Sequence, residues 1–185
     1  GEVVEEIGLA FGYKLTAQYF EGTEFEYHDP VEIRAREAAI AAGANPDSLL
    51  IGARDFDIRR WTVEGRADWK PNDDVLLIAN GGAAEVDEID LGPVGAVQDQ
   101  NWRQTYGQAR LQHKKLFLQG YMNSNVGEGY ALTNGIPIEV DNQFIAAQAQ
   151  HSASIGEQHG FVYGLDAQFT RGDTKGSLSG RNESD

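Results

Sequence analysis

The sequence predicts an all-β protein: about seven long antiparallel strands, with one short helix in a connection. Three observations predict it. Apolar and polar side chains alternate along stretches that in several cases run to 11–13 residues, the period-two signature of a strand with two unlike faces. Connections alternate between short polar turns and long segments. Large aromatics recur eight positions apart on the apolar face. Soluble strands usually have 5–6 residues, whereas a tilted bilayer-crossing strand needs ~9–11. Together these features read as a segment of an antiparallel transmembrane β-barrel, with short turns on one side and long loops on the other.

The strands follow in order. GLAFGYKLTAQYF (8–20) puts Leu9, Phe11, Tyr13, Leu15, Ala17 and Tyr19 on one face. IRRWTVEGRADWK (58–70) sets Trp61, Val63, Gly65, Ala67 and Trp69 against a charged face, and the turn PNDD (71–74) leads into VLLIANGGAAEV (75–86). WRQTYGQARLQ (102–112), the turn HKK and LFLQGYMNS (116–124) come next. The Ala-rich QFIAAQAQHSA (143–153) suits a helix equally well by composition; its place between strands decides for strand. The turn SIGEQ then opens HGFVYGLDAQFTRG (159–172), which alternates cleanly except at Val162.

Connections after 70, 112 and 153 are three to five residues long, while those after 20, 86 and 124 are expected to be long loops. The first contains the helix candidate, DPVEIRAREAAIAAG (29–43): Asp29 as N-cap, Pro30 in the first turn, Glu32 following and Gly43 closing. As a loop helix it is expected to pack over a barrel mouth.

Composition narrows the partners. The net charge is −14 and the pI about 4.6, which argues against nucleic acid, whose phosphates would be repelled. There is no cysteine, so neither a disulfide framework nor a thiolate metal site is available. No apolar run approaches the ~20 residues of a membrane-spanning helix. The chain opens GEVVEEIG without a targeting pattern and closes GRNESD, the reading expected of a piece of a longer protein.

Charge is also uneven. Residues 21–57, 85–101, 124–142 and 171–185 hold 20 of the 29 acids but 6 of the 15 bases, so the entire excess falls in the connections expected on one side. The polar faces carry Lys14, Glu64, Arg66, Asp68, Gln108, Arg110, Gln119, Gln148, Gln150, Asp166 and Gln168, a lining suited to a wide wet or plugged barrel. Glu64 is expected to pair with Arg66 or a neighbour. The acidic run Glu85, Asp87, Glu88, Asp90 has the oxygen chemistry of a Ca²⁺ loop, but such a run is more often simply solvated. His28, His113, His151 and His159 lack metal-ligand spacing, and no catalytic constellation stands out. Neither a cofactor nor an enzymatic activity is expected.

Several stretches resemble the barrel portion of the TonB-dependent outer-membrane receptors. They are YKLTAQYFEGTEFEYHDPVEIRARE (13–37), VEGRADWKPNDDVLLIANGG (63–82), WRQTYGQARL (102–111), LFLQGYMN (116–123) and FVYGLDAQFTRGDTKGSLSGRNESD (161–185). The last is the most specific, a strand with GLD followed by a T-x-G-x-x-x-G-R-N-E loop. The resemblance covers most of the chain and implies a ~22-strand barrel around an N-terminal plug, which residues 1–185 lack. It implies a bacterial outer-membrane protein with lipid and lipopolysaccharide around it. It also implies import of a siderophore or similar large ligand, driven by the TonB complex through the plug. Turns at 71–74, 113–115 and 154–158 would be periplasmic and the acidic segments extracellular. Arg181, Asn182 and Glu183 are weak candidates for touching ligand, and more naturally fasten neighbouring loops. On residues alone a second reading stays open, a soluble β-sandwich carbohydrate-binding or adhesion module of an exported protein.

Overall fold

The structure, a computed structural model, describes residues 3–7, 9–92, 95–156 and 158–177. Its eight strands are β1 (Val3–Ile7), β2 (Leu9–Thr23), β3 (Asp57–Asn72), β4 (Val75–Gly92), β5 (Gly95–His113), β6 (Leu116–Ala131), β7 (Pro137–Ile155) and β8 (His159–Asp173). All pair antiparallel with their sequence neighbours in one sheet, ordered β1 to β8. β1 and β8 are its edges, so the sheet is open. All seven expected strands are present; β1, a five-residue segment too short to show a period, is additional.

Two expected long loops are corrected. The segments after 86 and 124 continue as ladder, with Gly92 pairing Gly95 and Tyr130 pairing Pro137. Their many acids and glycines hide the strand, because a backbone ladder needs paired N–H and C=O groups and not an apolar face. β-bulges at 86/88 and 100/103 mark where β4 and β5 pass into these extensions. Much of the acidic excess therefore sits on strand ends.

The long connection 24–56 holds helix α1 (Pro30–Ala41) as read from the sequence. The Asp29 carboxylate accepts from the Val31 N–H at 2.7 Å, and Gly43 closes the helix at φ +98°, where a side chain would be strained. The buried side of α1 faces its own loop. Glu32, 2% exposed, accepts from Nε–H and Nη2–H of Arg54, each at 2.8 Å. Arg36 donates to the carbonyls of Pro46, Leu49 and Ile51, each at 2.8 Å. The loop docks on the far ends of β5 and β6: Asp55 N–H donates to Gln98 Oε1, Tyr130 O–H to the Ala53 carbonyl, and Gly52 N–H to that of Leu132.

Candidate functional site: an exposed apolar band and the acidic end of the sheet

Register turns the alternation of single strands into two faces. One row of partners runs Phe11, Trp69, Leu77, Leu111, Leu118, Ala149, Leu165 from β2 to β8. The next runs Tyr13, Ala67, Ala79, Ala109, Gly120, Ala147, Ala167, and the third Leu15, Gly65, Gly81, Gly107, Met122, Ile145, Phe169. Three whole rows are apolar. The interleaved rows on the opposite face are polar, for example Lys14, Arg66, Asn80, Gln108, Tyr121, Ala146, Gln168.

The apolar face is bare. Leu15 is 74% exposed and Leu165 73%, and Phe11, Tyr13, Tyr19, Phe161, Tyr163 and Phe169 are also exposed. A sandwich would set a second sheet ~10 Å away; among the described residues there is one sheet and no covering layer. A contiguous apolar surface of this extent is a feature to be explained.

The band has aromatic limits, and the limits slant. On β3 it runs from Trp61 to Trp69 and on β8 from Phe169 to Phe161. Following the register from Trp69 across the sheet arrives at Leu165, four residues short of Phe161. Following it from Trp61 arrives at Asp173, four residues past Phe169. Both limits therefore slide the same way by the same amount. Four residues at ~3.3 Å over five spacings of ~4.8 Å is an angle of about 30°. Eight residues along strands so tilted span roughly 23 Å.

The polar face is held by side-chain pairs along and between strands. Arg66 grips Asp68 through two bonds of 2.8 Å. Glu64 accepts from Tyr106 O–H at 3.4 Å instead of pairing with Arg66. Two aromatics lie over glycines here. A Cβ at Gly82 would meet the Tyr106 ring at 2.9 Å, and one at Gly127 would clash with the Trp102 ring. Beyond the band, Trp102 joins Val97, Ala131, Ile138 and Val140 in a small buried cluster.

The acidic run weighed as a Ca²⁺ loop, and read as more often solvated, is divided among cations. Arg59 pairs with Asp87 at 3.2 Å, Arg60 with Glu88 at 2.8 Å, and the Arg103 Nε with Glu85 at 2.8 Å. Trp61 Nε1–H also donates to Glu85, and these two bonds hold the Glu85 carboxyl below its ordinary value. Among the described residues no three acidic or histidine side chains converge as a metal site. Sequence reasoning missed Asp99, which belongs to a strand end instead of a loop. Burial, with Asp90 and Glu88 nearby, pushes its carboxyl up to about 6. His151 Nδ1 meets Tyr163 O–H at 2.9 Å on the apolar face. Arg181, Asn182 and Glu183 lie outside the described residues; the segment before them folds back on β7, where Ser177 Oγ accepts from Glu139 N–H at 3.0 Å.

No family model, curated protein or solved structure matches the chain.

Proposed function

We propose that the sheet is a membrane-spanning part of a bacterial outer-membrane β-barrel, and that the protein is a transport receptor of the TonB-dependent kind. The observation that carries this reading is the parallel slant of the two aromatic limits of the exposed band. A flat hydrocarbon slab cuts tilted strands at fixed depth, so each successive strand enters it at a shifted residue. The angle of about 30° lies near the 35–45° tilt of such barrels, and the roughly 23 Å height near their ~25 Å apolar band. Aromatic residues at both limits suit the two membrane–water interfaces. The polar face, with its mixed charges, would line the lumen, and the acidic strand ends with loop 24–56 would face the outside.

In this reading the surroundings are lipid and lipopolysaccharide, and the cargo is an iron chelate or another large nutrient. Energy would arrive from the TonB complex through a plug. Spin labels at Leu165 and Gln168 in the full-length protein test the assignment of faces. Label 165 should be relaxed by oxygen dissolved in lipid and label 168 by an aqueous nickel chelate. The reverse pattern, or water contact at both, would point to a soluble sandwich and remove the transport reading.

A further inference from the structure

On the polar face, beyond the apolar band, a cavity of about 720 Å³ opens among β3, β4, β5 and β7. Its apolar wall is Val97, Ile138 and Val140 beside Trp102; its acids include Glu88, Asp90 and Asp99. Two of these have fixed partners: Arg60 holds Glu88, and Asp90 accepts from the Leu91 N–H. Asp99 has none. It is 9% exposed, yet its carboxyl accepts no hydrogen bond and forms no ion pair among the described residues. Gly129 beside it leaves room, since a Cβ there would sit 3.2 Å from Asp99 Oδ1. A carboxylate this far buried, with no protein partner and open to the cavity it lines, is costly to hold, and such groups in clefts are candidates for meeting a ligand.

We propose that this cavity binds an organic cation, an ammonium or guanidinium group on an apolar body. The charged head would sit among Asp99, Glu88 and Asp90, where N⁺–H donors satisfy the carboxylates. The body would lie on Ile138 and Val140, with the face of Trp102 adding attraction for the cation. The volume is within the range of small-molecule sites. The acidic excess of this end of the sheet would concentrate cations there. A bare divalent ion fits less well, because the acids do not converge as a metal site and the wall is apolar.

The role of this cavity as a ligand-gathering site rests on the transport reading; binding itself does not. Calorimetric titration of the full-length protein in detergent, with 2-phenylethylamine, 2-phenylethanol and calcium chloride as probes, tests it. The amine should bind, and the neutral alcohol should bind roughly tenfold more weakly or worse. Asp99→Asn should weaken the amine by a similar factor with unchanged circular dichroism, whereas Asp47→Asn on the exposed loop should leave it unaltered. Equal binding of amine and alcohol, no binding of the amine, indifference to Asp99→Asn, or calcium binding that the amine fails to displace would each overturn the proposal. A site that binds the amine in a protein whose label at 165 is in water would stand while the transport reading fell; a lipid-facing label with no amine binding would do the opposite.

Discussion

Glu88 and Asp99 are register partners across β4 and β5, and of the two only Glu88 has a cation, Arg60 at 2.8 Å. Like charges set opposite each other on adjacent strands repel, and Asp99 is the more buried member. Its carboxyl is raised from 3.8 to about 6, first by burial and then by Asp90 and Glu88.

The sign of the pH effect follows. A folded-state value above the unfolded one means that the Asp99 contribution is fully present below pH ~4 and is lost as pH rises through about 6. A shift of that size corresponds to about 3 kcal/mol. The groups facing Asp99 are Glu88 and Asp90 on β4, with Arg60 on β3 behind Glu88; β6 and β7 bring Gly129 and Ile138. Asn resembles the protonated acid, so Asp99→Asn should stabilise the protein by up to this amount at pH 7.5 and leave it unchanged near pH 4. Urea unfolding at both values checks this; a difference that does not vary with pH would assign the effect to something other than titration.

The Glu32–Arg54 pair should govern the docking of loop 24–56. Both side chains are buried, at 3% and 9% exposure, and the hydrogen bond to Glu32 is the first cause raising the Arg54 value. Glu32→Ala leaves a guanidinium without its partner, at a cost approaching 3–5 kcal/mol if Arg54 stays buried. Limited proteolysis should then cut within 24–56 while the sheet resists. Replacing both by Met should restore most of the protection, since a buried pair can be exchanged for apolar packing; a double variant as labile as the single one would show that the pair is not the fastening.

How far the fold was legible follows from where apolar alternation ends. Inside the band, one face of each strand is apolar and the other polar, so Leu15 or Leu165 declares its side in sequence. Past Glu85 and Ser124 both faces carry polar groups and the alternation is lost, although the ladder continues. That stretch hid Asp99, which lines one cavity with Val97 and Trp102 of its own strand and with Ile138 of β7 only once the sheet is assembled. Helix α1 was legible because its signals, Asp29, Pro30 and Gly43, are local. The slant of the band was not, because it exists only once register sets Trp69 in a row with Leu165.

Two glycines should respond differently to the same change. A Cβ at Gly127 collides with the Trp102 ring, whereas one at Gly120 meets nothing within 4 Å. Gly127→Ala should cost about 1–3 kcal/mol as the indole is displaced, and Gly120→Ala should stay within about 0.5 kcal/mol. Thermal unfolding in detergent, with Trp fluorescence to follow residue 102, measures both. Equal costs would mean that loss of glycine flexibility, and not the ring, sets the penalty.

The slant itself can be tested by three arginines. Leu15 and Met122 share one row of the sheet, while Leu165 lies two rows away. If the band followed the rows, Leu15 and Met122 would lie at equal depth and Leu165 at another. In a bilayer crossed at about 30°, Leu15 and Leu165 are instead both midway between their aromatic limits, and Met122 is the last apolar residue before Ser124. Arginine on the lipid face of a barrel costs about 2–4 kcal/mol at the midplane and about 0–1 near an interface. Leu15→Arg and Leu165→Arg should therefore fall in the higher range and Met122→Arg in the lower, with Gln168→Arg on the polar face near neutral. Urea unfolding of the full-length protein reconstituted in lipid vesicles gives the four values. Matching costs at Leu15 and Met122, with a different one at Leu165, would show that the band follows the rows and would remove the geometric basis of the membrane reading.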